Sequence, residues 1–317
     1  TGFDVEIPLG TLTCIVGPSG AGKSTLAVEE LYSRLRAAVV ESSQDEKVSG
    51  HESLDYVELV DPAPLKRIRR SNVCTYLGFA KEIRKVYALT PEAKVKGYSA
   101  SRFSRNVRGG RCESCQGTGS RKLEMVFLPD AFVPCDDCNG TGFNNEVLEI
   151  RYKGLNYADM LALEVEEAEK FFANVPKVRK PLSLLRQIGL GYLKLGQSAS
   201  TFSGGEAQRV KLAAGLVRHR RAKGLFVLDE PTIGLHFEDM TRLLNLLGKL
   251  VAKGDTVVVV EHDPEFIACC DYLIELGPGG GREGGRLVAQ GTPSQLVAED
   301  TLTGKEMGKL DQFEEVR

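Results

Sequence analysis

Eight consecutive residues, Gly17-Pro18-Ser19-Gly20-Ala21-Gly22-Lys23-Ser24, have the types and spacing of a phosphate-binding loop, and Thr25 follows them. Glycines let a backbone curl until its N–H groups converge on an anion, so Gly17, Ser19, Gly20 and Gly22 are candidates for cradling phosphate oxygens. Lys23 has the reach for the β- and γ-phosphates of ATP, and the Ser24 hydroxyl is the Mg2+ ligand of this pattern. An acidic pair, Asp229-Glu230, ends the apolar run Leu225-Phe226-Val227-Leu228. Behind a phosphate loop, Asp229 can hold the metal's water shell, while Glu230 orients and polarises an attacking water. Ser203-Gly204-Gly205 opens a helical pattern whose first N–H groups offer a second anion site.

A different chemistry lies in the middle of the chain. Cys112-x-x-Cys115 and Cys135-x-x-Cys138, separated by 19 residues, have the spacing of a zinc site. Four thiolates fill a tetrahedral Zn2+ and leave no open position, so such a site is structural. Each pair continues as Cys-x-x-Cys-x-Gly-x-Gly, the one internal repeat, with Gly117, Gly119, Gly140 and Gly142 allowing tight knuckles. Between the pairs, Leu123, Met125, Phe127 and Leu128 around Pro129-Asp130 read as a hairpin raised from the metal site. Cys14, Cys74, Cys269 and Cys270 read as buried free thiols. From Lys66 to Lys122 there are fifteen basic residues against three acids, a net +12 in a chain of net −2, which leaves −14 for the rest. A basic block in an acidic chain points to a polyanion such as nucleic acid, or else to a solvated face. Arg102, Arg105, Arg108 and Arg111 approach the first knuckle three apart, and the intervening Asn106, Val107, Gly109 and Gly110 read as an extended arm meeting successive phosphates.

These groups need elements to position them. Asp4 to Ile7 and Thr11 to Val16 read as strands, then a helix from Lys23 to about Leu35. After Ser203 come a helix Gly205 to Val217, a strand Leu225 to Leu228, a helix Glu238 to Ala252, and strands Thr256 to Glu261 and Tyr272 to Leu276. Strands alternating with helices argue for an α/β fold with a mostly parallel sheet. Residues from about 40 to 200 read as irregular, with one amphipathic helix near Val165 to Phe172. The implied organisation is an ATP-binding core, 1–60 and 201–317, split by an insert at 61–200 whose zinc module occupies about 105–150. With 317 residues, 42% hydrophobic and 26% charged, the chain has the balance of a globular protein and excludes wholesale disorder. No apolar run approaches the ~18 residues of a membrane helix, and no secretory signal is visible, so a reducing, cytoplasmic setting is expected. The first residue is Thr1 rather than Met, which suggests a piece of a longer chain.

The order of motifs resembles that of ABC ATPases, whose signature is Leu-Ser-Gly-Gly-Gln. Gly234-Leu235-His236 is similar to that family's D-loop, and His262 to its switch histidine, which implies a γ-phosphate contact. The resemblance narrows to the C-terminal half of the UvrA family, the damage-sensing proteins of the ABC excinuclease. It is carried by Gly110-Arg111-Cys112-Glu113-x-Cys115, by Glu124-Met125-Val126-Phe127-Leu128-Pro129-Asp130, and by Gly189-Leu190-Gly191-Tyr192-Leu193-Lys194-Leu195-Gly196-Gln197. Ser203-Gly204-Gly205-Glu206-Ala207-Gln208-Arg209-Val210-Lys211-Leu212-Ala213 carries it further. What the resemblance implies is an ABC-type P-loop ATPase core with a long zinc-binding, helical signature-domain insert. It further implies binding of damaged duplex DNA in nucleotide excision repair, head-to-tail pairing with a second ABC module, and partnership with a UvrB-type helicase. One departure is visible: where the family carries its Q-loop glutamine this chain has Pro62, which has no amide for Mg2+ or water. ATP binding is expected to survive, and hydrolysis to be weak. Two rival readings are a UvrA-like ABC drug-resistance or RNA-binding factor, and an ATP-binding fragment inactive without its partner module.

Overall fold

The structure is a computed structural model that describes residues 2–41, 47–61, 63, 71–123, 125, 130–219, 223–299 and 301–314, with the side chains of Arg282 and residues 309–314 left aside. Pro62, most of the hairpin tip (Phe127 and Leu128 included) and the start of the basic block at Lys66 lie outside those residues. Among the described residues eight strands appear in chain order: β1 (Leu12–Val16), β2 (Tyr56–Val60), β3 (Ser120–Leu123), β4 (Ala131–Pro134), β5 (Gly224–Asp229), β6 (Thr256–Val260), β7 (Tyr272–Gly277) and β8 (Arg286–Gly291). The chain divides into two compact units, residues 1–63 with 204–317, and residues 64–203.

The first unit is built on a six-stranded sheet in the order β2-β5-β6-β1-β7-β8, parallel except for β8 against β7. β1 and β6 are buried along their whole length, which is why Leu-Thr-Cys-Ile-Val and Thr-Val-Val-Val-Val read as nearly continuous apolar runs rather than alternating ones. Leu225 and Val227 join Ile15, Val258 and Val260 in a core with Ala27 and Leu35 of the helical stretch after the phosphate loop. Phe226, between them, points the other way and meets Gly215 of the helix Gly204–Arg218, so helices cover both sheet faces. The expected strand Asp4 to Ile7 forms no ladder. Its apolar residues Phe3, Val5 and Ile7 instead pack half-buried against that core, so their alternation reports burial and not pairing. The helix after the phosphate loop runs on past Leu35 to Val40, with a π-helical start at Thr25–Tyr32, because no glycine or proline stops it. β2 and β8 lie where no strand is expected from sequence.

The second unit differs most from the sequence expectation. The helix Val165–Phe171 lies where one is expected, but the segment is also helical where a local reading finds irregularity, at Ala80–Ala88, Tyr157–Ala162 and Pro176–Gln187. These helices run to 12 residues at most, too short for a periodic signal to build up, and several in the unit start on side-chain caps from Thr90, Asn144 and Asn156. Tyr87, Phe103, Phe143, Tyr152 and Tyr157 pack ring against ring and form an aromatic nucleus for the unit. β3 and β4 pair antiparallel, Arg121 opposite Val133, as the base of the expected hairpin.

Candidate nucleotide site and metal centre

The phosphate loop leaves β1 at Gly17, whose φ of +132° and a Cβ position 2.0 Å from the Leu276 carbonyl oxygen admit no side chain. Gly20 and Gly22 continue the curl with positive φ. Lys23 is buried, and its Nζ donates to the carbonyls of Gly17 and Pro18 at 2.9 and 2.8 Å, folding the side chain over its own loop. Burial lowers the ammonium below its ordinary range, with Glu230 and Asp229 partly restoring it. Ser19, Ser24 and Thr25 are exposed along the loop and the start of the helix.

Ser24 Oγ donates to Asp229 Oδ1 at 3.1 Å, which joins the phosphate loop to the tip of β5 across 205 residues of chain. Burial raises the Asp229 carboxyl; Glu230 and Asp61 nearby push the same way, and the Ser24 hydroxyl and Lys23 pull it down. A hydroxyl beside a carboxylate whose own neighbours repel its charge is a donor set suited to a divalent cation such as Mg2+. Glu230 turns off the strand with φ +49°, a left-handed conformation rare for a residue with a side chain. That turn brings Glu230 Oε1 to 3.2 Å from Nε2 of His262.

Three side chains that motif reading passes over hold this arrangement. Glu261, 3% exposed, accepts from the backbone N–H of Thr232 at 2.8 Å and of His262 at 2.9 Å, so one carboxylate fixes both flanks of the Glu230–His262 pair. Gln208, 1% exposed, donates to Val60 O at 3.1 Å and Asp229 O at 2.6 Å, bridging the ends of β2 and β5. Lys211, one helical turn on, donates to Asp61 O at 3.1 Å, to its carboxylate, and to Ala63 O at 2.6 Å. The available signal was a polar or charged residue in an apolar register: Gln208 amid Ala207, Val210 and Leu212, and Glu261 continuing an all-valine run. Ser203 and Gly204 flank the start of that same helix, Gly204 exposed, and Gly205 backs onto the Ile233 carbonyl, leaving 2.8 Å where a Cβ would go.

The four knuckle cysteines converge. Cys112, Cys115, Cys135 and Cys138 are buried with all sulfurs within 4.8 Å of one another. The pairs Cys112–Cys135 and Cys115–Cys138 lie 4.0 and 3.7 Å apart. Zn–S bonds of about 2.3 Å set thiolates about 3.8 Å apart in a tetrahedron, so the quartet fits zinc. Gly119 and Gly142 N–H groups each donate to a sulfur at 3.3 Å. The knuckles also clasp each other, Cys112 N to Gly142 O and Cys135 N to Gly119 O. Burial pushes the Cys115 thiol up, but N–H donors from Gly119 and Gly117 and its sulfur neighbours bring it down to about 7; Cys138 is pushed up to about 12, chiefly by burial. Of the other thiols, Cys14, Cys74 and Cys270 are buried as expected, whereas Cys269 is exposed.

The four arginines do not form an extended arm. Residues 100–111 make a 3-10 turn and successive tight turns, because Gly109 and Gly110 let the chain fold back on Arg102. Arg102 pairs with Glu146 at 2.7 Å and lies over the Tyr98 ring, and Arg111 pairs with Glu113. Arg105 sits 5.7 Å from the Phe143 ring against the knuckles, and Arg108 is exposed.

A mostly parallel sheet, a phosphate loop tied to the tip of β5, a signature-type helix start and a cysteine-quartet insert define an ABC-type P-loop ATPase core with a zinc-binding insert. No protein-family model matches the sequence. The chain is 50% identical over 307 residues to UvrABC system protein A of Methanothermobacter thermautotrophicus, and 49% identical over 309 residues to that of Staphylococcus aureus. Each match takes in 96% of this chain but only 32% and 33% of the relative, so the chain spans about a third of their length. The crystal structure of UvrA2 from Deinococcus radiodurans matches with a TM-score of 0.87 and 46% identity, over 97% of this chain and 38% of that one. Over nearly its whole length the chain is therefore similar to a part of the UvrA proteins.

Proposed function

We propose that this chain is an ATP-hydrolysing module of nucleotide excision repair that binds damaged duplex DNA in the cytoplasm. The observation that carries the reading is the bond between Ser24 and Asp229, with Glu230 and His262 beside it, at one end of the sheet in a chain about half identical to UvrABC system protein A. Backbone N–H groups from Gly17, Ser19, Gly20, Gly22 and Thr25 and the Lys23 ammonium hold the triphosphate. Ser24 and Asp229 hold Mg2+, which when bound neutralises charge building on the phosphate oxygens. Glu230 accepts a proton from the attacking water as its oxygen bonds to the γ-phosphorus and the bond to ADP breaks. His262 contacts the γ-phosphate and, through Glu230 Oε1, keeps that carboxylate aimed. Ser203, Gly204 and Gly205 of one module close over the phosphate loop of another, head to tail.

Zinc on Cys112, Cys115, Cys135 and Cys138 is structural and supports the β3–β4 hairpin. There Leu123, Met125 and Phe132 are exposed beside Arg121 and Lys122, which pair with Asp137 and Asp130, an apolar surface suited to packing on a distorted duplex. Arg108, the exposed one of the four arginines, supplies a backbone contact while Arg102, Arg105 and Arg111 brace the turns that carry it, so recognition is by charge and deformability rather than base identity. A UvrB-type helicase is the downstream partner. Pro62 favours a second reading, tight ATP binding with little turnover. The test is ATP binding and turnover with and without ultraviolet-damaged duplex at several salt concentrations. Turnover stimulated by damaged duplex supports the first reading, and binding without turnover supports the second. Absence of ATP binding overturns both.

A further inference from the structure

The sequence between β7 and β8, Gly277-Pro278-Gly279-Gly280-Gly281-Arg282-Glu283-Gly284-Gly285, holds six glycines in nine residues and belongs to none of the motifs above. We propose that Gly280 and Gly284 are positioning residues for nucleotide binding, because their segment is a backbone strap that sets the shape of the phosphate loop from behind. The proposal rests on the ATP reading of that loop.

The contact is backbone on backbone. Gly281 N–H donates to Gly20 O at 3.1 Å, and Gly285 N–H donates to Ala21 O at 3.0 Å. A Cβ on Gly280 would stand 2.4 Å from Ser19 O. One on Gly284 would stand 3.0 Å from Ala21 Cα and 3.1 Å from Gly20 O. Seen from the other side, a Cβ on Gly20 would lie 3.5 Å from Gly281 N, so the two backbones meet with no side chain between them. The strap is itself held in a turn, with Gly284 N–H on Gly281 O at 3.2 Å, between the paired strands β7 and β8.

The physical reason lies in the geometry of a trans peptide, in which C=O and N–H point opposite ways. A loop whose N–H groups converge on phosphate turns the matching carbonyls outward, and where those are covered they require donors. Ala21 O belongs to the same peptide plane as the Gly22 N–H, so the bond from Gly285 fixes the direction in which Gly22 presents its hydrogen. The Ala21 N–H is spent inside the loop on Pro18 O at 3.2 Å, and Gly281 holds that peptide plane from its carbonyl end. A methyl at 280 or 284 pushes on the loop at Ser19 to Ala21 and rotates these planes, while leaving Lys23, Ser24 and Asp229 chemically intact.

Two features make the test clean. Gly280 and Gly284 have φ of −98° and −83°, which alanine adopts without strain, so the substitutions report the contact and not the backbone. Gly248, on the exposed side of the helix Phe237–Ala252 with nothing near its Cβ position, provides a control. In Gly280→Ala the dissociation constant for ATP should rise at least about tenfold, and in Gly284→Ala by a smaller factor, following the milder contact. KM should rise more than kcat falls, zinc content should stay as in wild type, and Gly248→Ala should bind as wild type. Folded variants that bind ATP within about twofold of wild type would overturn the strap. Hydrogen exchange on the unmodified protein gives a readout independent of folding: adding ATP should slow exchange at the Gly281 and Gly285 amides, and unchanged rates there overturn the proposal. Wild type that binds no ATP would instead sink the nucleotide reading, before any variant is compared.

Discussion

Lys23 carries a cation into a site beside the acids Asp229 and Glu230, and burial is the largest influence on it, lowering its pKa. The charged form is the one that attracts phosphate, so deprotonation weakens binding. ATP affinity should therefore decline as pH rises through the range just below that of an ordinary lysine, which a fluorescent ATP analogue titrated from about pH 7 to about pH 10 would follow. A flat profile would mean that Lys23 contributes no charge to binding. Glu230 allows a sharper separation. Glu230→Gln keeps the shape and the His262 contact but cannot accept a proton, so turnover should fall on the order of 10²-fold with ATP affinity retained. Equal single-turnover rates in both proteins would remove Glu230 from the reaction. Most of these residues were legible in the sequence because phosphate chemistry constrains type and spacing within a few positions. Glu261 and Gln208 were not, since their partners are backbone groups on strands and turns distant in sequence, and no local pattern announces a backbone partner.

The helix Gly204–Arg218 shows how an element acquires a role beyond its motif. Its first turn carries Gly204 and Gly205 behind Ser203, while one and two turns on, Gln208 and Lys211 hold the ends of β2 and β5 and the chain leaving β2. Gln208→Leu leaves Val60 O and Asp229 O without their side-chain donor in a buried setting, so urea unfolding should show a loss of about 1–3 kcal/mol. Lys211→Met should lower stability less, because its partner Asp61 is exposed enough to be hydrated, yet weaken any change in turnover on DNA binding, because Lys211 holds residues 61–63 at the start of the insert. DNA-stimulated turnover equal to wild type in Lys211→Met would show that this clasp transmits nothing. Strands were legible where they are buried on both sides, β1, β5, β6 and β7. The edge strands β2 and β8 were hidden: Tyr-Val-Glu-Leu-Val and Arg-Leu-Val-Ala-Gln-Gly mix polar and apolar residues because, among the described residues, one side of each pairs with no strand.

At the scale of the whole molecule, the charge division was plain from sequence, and the structure changes how it is used. Arg102 and Arg111 are already paired with acids and Arg105 lies against the Phe143 ring, which leaves Arg108 as the arginine of the four whose side chain is exposed. Arg108→Ala should reduce the log–log salt slope of duplex binding by about 0.9, measured by filter binding across a salt series. An unchanged slope would place the DNA surface elsewhere. The split of the core by an insert was also legible, from the motifs on either side. The insert's own architecture was not, because its short helices depend on caps and on an aromatic nucleus assembled from distant positions. The place of β1 has a consequence for biosynthesis. Thr13 pairs with Val258 on one side and Tyr272 on the other, so the strand that launches the phosphate loop is translated long before either neighbour. The ribosome delivers residues 64–203 in the interval, and that unit, with its cysteine knuckles clasping each other, can close while β1 waits. Nascent chains halted after Asp255 should therefore take up no photoreactive ATP, whereas chains extended beyond Thr292 with the exit tunnel cleared should label. Labelling of the shorter chains would mean that β1 and its loop assemble without the strands that enclose them.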